Sequence, residues 1–210
     1  MKVKKIVLEL FNVNCYILSV SNTTVIIDAG SGYNLIKKYL EDENITPDFL
    51  ISTHGHYDHI GAVPELVSNY KIPFYIHEMD EFIIKDPDKN LSSNFSGNGL
   101  SLKTYNLIND SSFNYFERFG LKLFHMPGHT PGSIVIKCGD CLFTGDLLFR
   151  GSIGRTDLPG GDVGIIKNSL KKIRKMDENL IVYPGHNENS TLSYEFKNNY
   201  YLTDEFLEKG

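Results

Sequence analysis

Three histidines and one aspartate occupy the six positions from His54 to His59, HGHYDH, in a chain of 210 residues with seven histidines in all. Buried polar side chains must each find a partner or lose the free energy of hydration, so this segment cannot be an apolar strand. A cation would hold such side chains together, because imidazole suits zinc and iron and carboxylate is a frequent companion ligand. The stretch therefore predicts a catalytic transition-metal centre.

Three further stretches place a candidate ligand at the end of an apolar strand, beside the glycine or proline residues that a tight turn needs. They are PGHTPGS with His129, LFTGDLLF with Asp146 and YPGHNE with His186. Loops supported by rigid strands can bring such side chains to one point. The predicted metal ligands are five histidines and two aspartates: His54, His56, Asp58, His59, His129, Asp146 and His186.

Seven ligands exceed the four that one tetrahedral zinc ion accepts. They suit two divalent metal ions that share a bridge and keep open positions for water and substrate. We predict zinc, with iron and manganese as alternatives. Two divalent ions, two aspartates and one bridging hydroxide carry a net charge of roughly +1, which would stabilise a developing oxyanion. The alternative that these are ordinary polar residues of the core or surface stays open here.

Length, composition and charge limit the other classes of function. With 210 residues, 41% of them hydrophobic, the chain can bury a large core, and we predict a single domain over residues 1–210. A net charge of −5 disfavours nucleic acid and membrane partners and leaves a small-molecule substrate. We recognise no signal peptide and no membrane span, which predicts a cytoplasmic protein. The sequence does not indicate an oligomeric state.

The three cysteines, Cys15, Cys138 and Cys141, are too few for a disulfide framework. The last two form a CxxC motif, which is found in redox pairs and in half-sites for zinc. However, Gly139-Asp140 separates the apolar runs SIVIK and LFTGD, as in a two-residue hairpin turn. No second CxxC completes a zinc site, so we interpret the pair as the structural ends of two strands.

Hydrophobic periodicity predicts strands near 3–10, 14–20, 24–28, 49–52 and 74–76, then near 121–126, 133–137, 141–144 and 180–183. Helices are predicted over 34–43, 61–70, 78–85 and 164–175, and residues 87–99, rich in Ser, Asn and Gly, are predicted to form a mobile loop. Strands followed by helices, twice over, predict two sheets packed face to face with helices outside.

The order and spacing of HGHYDH, PGHTPGS, GD and PGH resemble the metallo-β-lactamase superfamily from near Ile27 to His186. The resemblance implies an α+β fold, the αββα four-layer sandwich with two packed mixed β-sheets flanked by helices. It implies that Asp146 bridges two metal ions. The other ligands divide into two groups, His54, His56 and His129 for one ion and Asp58, His59 and His186 for the other.

Within that superfamily, FTGDLLFRGSIGRTDLPGGD and YPGHNENSTLSYEFKNNYYL are most similar to the short glyoxalase II-like hydrolases. The resemblance implies a thioesterase that cleaves S-acyl (hydroxyacyl) thiol esters with a metal-bound hydroxide. The chain departs from the larger glyoxalase II enzymes because only 24 residues follow His186, where those enzymes carry a helical domain that helps to bind glutathione. It also has Asn199-Tyr200 where the short family usually has Asn-Pro.

Particular residues receive roles from this resemblance. Asp58 and Asp146 are the predicted catalytic residues, with Asp58 both a ligand and the group that orients the nucleophile. Asp28 is similar to the strand-end aspartate that accepts the second N–H of a ligand histidine, although it could simply form a turn. Arg155 is a candidate contact for an anionic substrate group, and its alternative role is to pair with Asp157 and shape the loop.

Two rival functions remain. Iron-dependent persulfide dioxygenases resemble the chain in GHT, FTGD and GRTD, but usually have Ala rather than Gly before the last histidine, His186 here. A non-catalytic metal-binding protein is the rival from another class. Structural zinc sites are usually closed by four ligands, whereas the predicted centre keeps open positions.

Overall fold

A computed structural model describes residues 1–95, 97 and 99–208. The chain divides into two compact units, Met1–Asn109 and Asp110–Gly210, and each is built on its own mixed β-sheet. The prediction of a single domain over residues 1–210 stays a prediction.

The first unit contains a six-stranded sheet in which the strands lie in chain order. The first three strands pair antiparallel, and each later strand pairs parallel to its predecessor. Parallel strands covered on both faces are continuously apolar, which is the pattern of Phe49-Leu50-Ile51. The strands are β1 (Lys2–Leu8), β2 (Val13–Val20), β3 (Thr23–Ile27), β4 (Phe49–Ile51), β5 (Phe74–His77) and β6 (Asn106–Ile108).

Helices of the first unit bury one apolar side against this sheet. In the first helix Ile36 and Leu40, four residues apart, lie on one face and enter the same core as Leu66 of the third. The helices are α1 (Tyr33–Asp42), α2 (Tyr57–Ile60), α3 (Val63–Tyr70) and α4 (Glu81–Ile84), with 3₁₀ turns at Leu10–Asn12, Glu78–Asp80 and Ser92–Asn94.

The second unit contains a five-stranded sheet with the order β11-β10-β9-β8-β7. One pair of neighbours, β9 and β10, is parallel, and the helix that follows β9 makes the crossover. All other neighbours pair antiparallel. The strands are β7 (Lys122–His125), β8 (Ile134–Cys138), β9 (Cys141–Gly145), β10 (Ile181–Pro184) and β11 (Ser190–Thr191).

The crossover helix of the second unit begins at a capped N-terminus, where the Asp162 carboxylate accepts the amide N–H of Ile165 at 2.8 Å. Its buried face, with Ile166, Leu170 and Ile173, joins the core that the sheet and the C-terminal helices share. The helices are α5 (Asn114–Glu117), α6 (Val163–Ile173), α7 (Leu192–Asn198) and α8 (Asp204–Glu208), with 3₁₀ turns at Asp110–Ser112 and Tyr200–Leu202.

Most predicted elements lie within a few residues of the observed ones. The helix predicted over 78–85 is wrong in its first half, because Glu78–Asp80 form a 3₁₀ turn and the α-helix covers only Glu81–Ile84. Residues 96 and 98 of the predicted loop 87–99 lie outside the described residues, and Ser92–Asn94 within it form a 3₁₀ turn. Strands β6 and β11 and helices α2, α5, α7 and α8 were not predicted.

The helices in the described ranges are all too short or too polar to cross a bilayer.

The three cysteines are free and buried. Cys138 and Cys141 pair directly across β8 and β9, and Gly139, with φ of +54°, allows the tight turn between them, as the hairpin interpretation predicted. Burial raises the pKa of each of the two thiols, and the neighbouring thiol adds to the shift at Cys138. Burial and then the charge of Asp28 hold the pKa of Cys15 well above its usual value.

We expect these three thiols to resist modification in the native protein. Both their burial and their raised pKa values reduce the accessible thiolate, which is the reactive form. Labelling with Ellman's reagent at mildly alkaline pH tests this, with all three thiols reacting once denaturant is added. A Ser68→Cys variant, whose thiol would lie on the exposed side of α3, is the reactive control. Fast labelling of native wild-type protein would contradict the buried hairpin.

Candidate metal centre

The parallel strands of the first unit end at one edge of the sheet and carry polar residues there. Asp28 follows β3, Thr53 and His54 follow β4, and Asp80 follows β5 through a 3₁₀ turn. Strands that pair parallel place their carboxyl ends side by side, so these side chains gather although they are distant in sequence. The HGHYDH segment begins at this edge and continues into α2.

The imidazoles of HGHYDH are buried and close together. The ring centroid of His54 lies 4.9 Å from that of His56 and 4.1 Å from that of His59, and each side chain is at most 2% exposed. The Asp58 carboxylate lies 3.7 Å from His59 Nε2. The four residues predicted as ligands in this unit therefore form one group.

Asp28 connects two of these histidines. Its carboxylate accepts the Thr53 amide N–H at 2.7 Å and the Thr53 hydroxyl at 2.9 Å, and it lies 3.1 Å from His59 Nδ1. The Asp28 carboxylate is thus the charged group beside Nδ1 of His59. The Thr53 hydroxyl gives its single proton to Asp28, so it accepts from His54 Nδ1, 3.2 Å away. One carboxylate thus sets the tautomer of His54 through Thr53 and also contacts His59.

Two glycines allow the backbone to pack closely around HGHYDH. A Cβ atom on Gly30 would lie 1.7 Å from the carbonyl oxygen of Asp58, and one on Gly55 would lie 3.0 Å from the side chain of Ile84. The Gly55 amide also donates to the buried Asp80 carboxylate at 2.8 Å. Asp80 therefore fixes the turn between His54 and His56. Sequence reasoning missed it, because a single aspartate beside a helix has no distinguishing motif.

The predicted ligands of the second unit also share one sheet edge. Asp146 follows β9, and His186 follows the parallel strand β10, where the Gly185 amide still donates to the Gly145 carbonyl at 2.9 Å. His129 precedes β8, which runs antiparallel to β9 and so begins where β9 ends. Gly154 permits the next loop to approach, since a Cβ there would lie 1.9 Å from the Asp146 carbonyl oxygen.

One oxygen of Asp146 faces both histidines of the second unit. Oδ2 lies 3.6 Å from Nε2 of His129 and 3.4 Å from Nε2 of His186. His129 Nδ1 lies 2.7 Å from the Arg155 carbonyl oxygen, which can only accept, so Nδ1 carries the proton and Nε2 keeps its lone pair. The lone pair of His129 is thereby available on the side of Asp146.

These separations fit metal ligands better than hydrogen bonds. An N–H···O hydrogen bond spans about 2.7–3.2 Å, which is shorter than either contact of Asp146. Two ligand atoms at about 2.0–2.2 Å from one tetrahedral ion lie roughly 3.4 Å apart. Imidazole nitrogens with fixed tautomers and carboxylate oxygens are also the donor types that zinc and iron accept. The residues of each unit therefore fit metal coordination.

The Arg155 guanidinium, the predicted substrate contact, forms two hydrogen bonds with the Asp157 carboxylate at 2.7 and 2.6 Å. The arginine lowers the pKa of Asp157 from 3.8 to about 2. Both side chains are more than half exposed, so the pair adds little to stability. This geometry favours the alternative in which the pair shapes its own loop, and a substrate contact by Arg155 stays a prediction.

Most of the chain matches a known protein family. Residues 8–186 match the metallo-beta-lactamase superfamily. The chain belongs to this superfamily. The family prediction is therefore confirmed, and with it the coarse prediction of a metal-binding hydrolase.

Two curated relatives illustrate the similarity. The probable metallo-hydrolase YqgX of Bacillus subtilis is 32% identical over 193 residues, which cover 90% of this chain and 92% of the relative. The hydroxyacylglutathione hydrolase GloC of Haemophilus influenzae is 28% identical over 209 residues, which cover 96% of this chain and 98% of the relative. The similarity thus extends over nearly the whole of both proteins.

Two solved structures share the fold. The BLEG-1 B3 metallo-beta-lactamase is 35% identical with a TM-score of 0.90, over 96% of this chain and 100% of that one. TTHA1623, solved in a di-iron-bound form, is 30% identical with a TM-score of 0.87, over 95% and 100%. The predicted α+β metallo-β-lactamase fold, with two mixed sheets flanked by helices, is confirmed.

We expect Asp28→Ala to lower the free energy of unfolding by about 3 kcal/mol, because the buried amide and hydroxyl donors of Thr53 lose their acceptor. Denaturant unfolding of metal-free protein measures this change without a contribution from bound ions. Asp48→Ala is the matched control, since Asp48 accepts the Thr24 amide at 2.7 Å on an exposed surface. That control should cost about 1 kcal/mol or less. Equal losses would contradict a special role for Asp28.

The lowered pKa of Asp157 predicts a pH effect of defined sign. A carboxylate whose folded pKa lies below its unfolded value stabilises the fold above the unfolded pKa, and this contribution disappears as the pH falls toward about 2. Carboxyl NMR should show Asp157 titrating near pH 2 in wild type, and its pKa should rise toward the ordinary 3.8 in Arg155→Ala, where the backbone hydrogen bond still lowers it. An unchanged titration in the variant would contradict the bidentate pair.

Proposed function

We propose that this protein is a metal-dependent thioesterase of the glyoxalase II type that cleaves S-acyl thiol esters. The observation that carries the proposal is the single Asp146 oxygen that lies within 3.6 Å of Nε2 of both His129 and His186. A carboxylate oxygen shared in this way suits a bridge between two cations. Membership of the superfamily supports combining these residues with His54, His56, Asp58 and His59 in one binuclear centre.

Two bound divalent ions would lower the pKa of a coordinated water and polarise the carbonyl of the thioester. The residues of the chain then have distinct duties. Asp58 would accept a hydrogen bond from the attacking water and orient it, while His54 and His129 have the Nε2 lone pairs that coordination requires. Asp146 would supply the carboxylate that the two ions share. The Thr53 hydroxyl and the Arg155 carbonyl keep the proton on Nδ1 of His54 and His129.

Water rather than a cysteine is the nucleophile in this proposal. Cys15, Cys138 and Cys141 are buried and their pKa values are raised, so none presents a thiolate near neutral pH. Hydrolysis that depends on metal ions remains the chemistry that the donor set supports.

Different relatives support the proposed thioester substrate and the alternative metal. GloC, at 28% identity over nearly the full length, is named a hydroxyacylglutathione hydrolase and supports the substrate class. Zinc is the proposed metal, and iron is the alternative that the di-iron form of TTHA1623 supports. A small-molecule thioester is the proposed partner, and the predicted absence of nucleic acid and membrane partners stays a prediction.

Hydrolysis of β-lactams is a second candidate function. It is favoured by one comparison, the B3 metallo-beta-lactamase BLEG-1, which is 35% identical over 96% of this chain. A chromogenic cephalosporin assayed beside the thioester separates the two, because the same preparation and metal content serve both reactions.

The proposal is tested by following the absorbance of S-lactoylglutathione with zinc-loaded, iron-loaded and chelator-treated protein. We expect rapid hydrolysis that chelation abolishes, and a fall in kcat/KM on the order of a hundredfold or more in Asp146→Asn, which weakens the shared ligand.

Asp140→Asn is the matched control, because Asp140 is exposed in the turn between β8 and β9. It should retain wild-type turnover. Fully metallated protein that leaves the thioester intact would overturn the proposal. Oxygen consumption with a persulfide, or cleavage of the cephalosporin, would then identify the replacement function.

A further inference from the structure

The second unit buries a carboxylate that the proposed mechanism does not use. Glu195 of α7 is fully buried, and Asn199, four residues later, is 1% exposed. Burying a charged carboxylate costs several kcal/mol unless hydrogen bonds replace the lost water. The interactions of Glu195 therefore indicate what the carboxylate holds in place.

Glu195 binds two segments that flank predicted ligands. Oε2 accepts the Gly151 amide at 2.9 Å, and Oε1 accepts the Ser190 hydroxyl. Gly151 belongs to the loop that follows Asp146, and Ser190 begins β11 four residues after His186. One carboxylate thus joins the chain beyond Asp146 to the chain beyond His186.

Asn199 completes the same network. Its Nδ2 donates to Glu195 Oε2 at 2.8 Å and to the Ser152 carbonyl at 3.1 Å, with a longer contact of 3.4 Å to the Phe149 carbonyl. Phe149 and Ser152 also exchange backbone hydrogen bonds of 2.9 and 3.3 Å. The loop 149–152 is therefore fixed from within and from α7.

This loop reaches a predicted ligand through an aromatic ring. The Phe149 ring meets the His186 imidazole edge to face, with centroids 5.6 Å apart and an interplanar angle of 87°. Such contacts are directional, so a displaced Phe149 would change the orientation of the imidazole. His186 Nε2 lies 3.4 Å from Asp146 Oδ2, and a small rotation would move it out of coordination distance.

We propose that Glu195 and Asn199 are positioning residues for His186: they hold the loop 149–152, and Phe149 in turn holds the imidazole in its metal-binding orientation. This inference rests on the proposed binuclear centre. Arg150 and Glu188 form a further link at 2.8 Å, but both are exposed, so that pair contributes little. The buried network carries the effect.

The test is competitive zinc titration with a chromophoric chelator, which measures both dissociation constants without any substrate. Glu195→Ala should weaken the binding of one zinc ion by about 10- to 100-fold, the range for partners that orient a metal ligand. Glu195→Gln should restore affinity, because its amide can accept from Gly151 and Asn199 and donate to Ser190. Phe149→Leu, which leaves the buried network intact, should weaken the same ion.

Two controls separate positioning from general stability. Ile173→Ala creates a cavity in the core of the same unit without removing a member of the hydrogen-bonded network, and should lower the melting temperature without changing zinc affinity. Lys197→Ala alters the exposed side of α7 and should change neither quantity. If Glu195→Ala does not fold, Phe149→Leu and Asn199→Ala provide the same measurement.

A double-mutant cycle decides whether Glu195 acts through His186. Once His186→Ala has removed the ligand, adding Glu195→Ala should cause no further loss of zinc affinity. Additive losses, or wild-type affinity in Glu195→Ala, would overturn the inference. Wild-type protein that binds two zinc ions but cleaves no thioester would contradict the proposed function and leave this inference standing. Binding of fewer than two ions would overturn both.

Discussion

Buried carboxylates determine the local structure around both groups of predicted ligands. Asp28, Asp80 and Glu195 are almost completely buried, and each accepts a backbone amide from a segment that carries or flanks a ligand. Because a buried carboxylate without donors is strongly unfavourable, the backbone must come to it. The loops are consequently fixed by charge-assisted hydrogen bonds rather than by apolar packing alone.

The sheet topology determines where a buried carboxylate can meet the loops that carry the predicted ligands. In the first unit β3, β4 and β5 run parallel, and in the second β9 and β10 do, so polar residues that follow them share an edge. The strands themselves are apolar and rigid, whereas the residues just beyond them are free to be polar. At the end of β9 the pairing with β10 shifts by one residue, and the Thr144 hydroxyl donates to the Leu148 carbonyl at 2.8 Å. This closes the turn that presents Asp146.

The sequence indicated the candidate metal ligands more completely than the side chains that hold them in place. HGHYDH, PGHTPGS, GD and PGH are compact motifs, and strand periodicity located most of the sheets. Asp80 and Glu195 have no such pattern, since each becomes important only when the fold brings it to a distant amide. The three-residue edge strand β6, with Leu107 partly exposed, and the short tail helices likewise lack a periodic signal.

The groups that orient these histidines differ in how easily a substitution removes them. A predicted ligand histidine keeps a fixed tautomer only if its second nitrogen has a partner, and here the partners are a threonine hydroxyl for His54 and a backbone carbonyl for His129. A side-chain partner can be lost by substitution, whereas the Arg155 carbonyl exists whatever residue occupies position 155. The side chain of Arg155 can therefore be replaced while its backbone keeps orienting His129. A substitution at position 155 therefore alters a loop side chain without removing the carbonyl that orients His129.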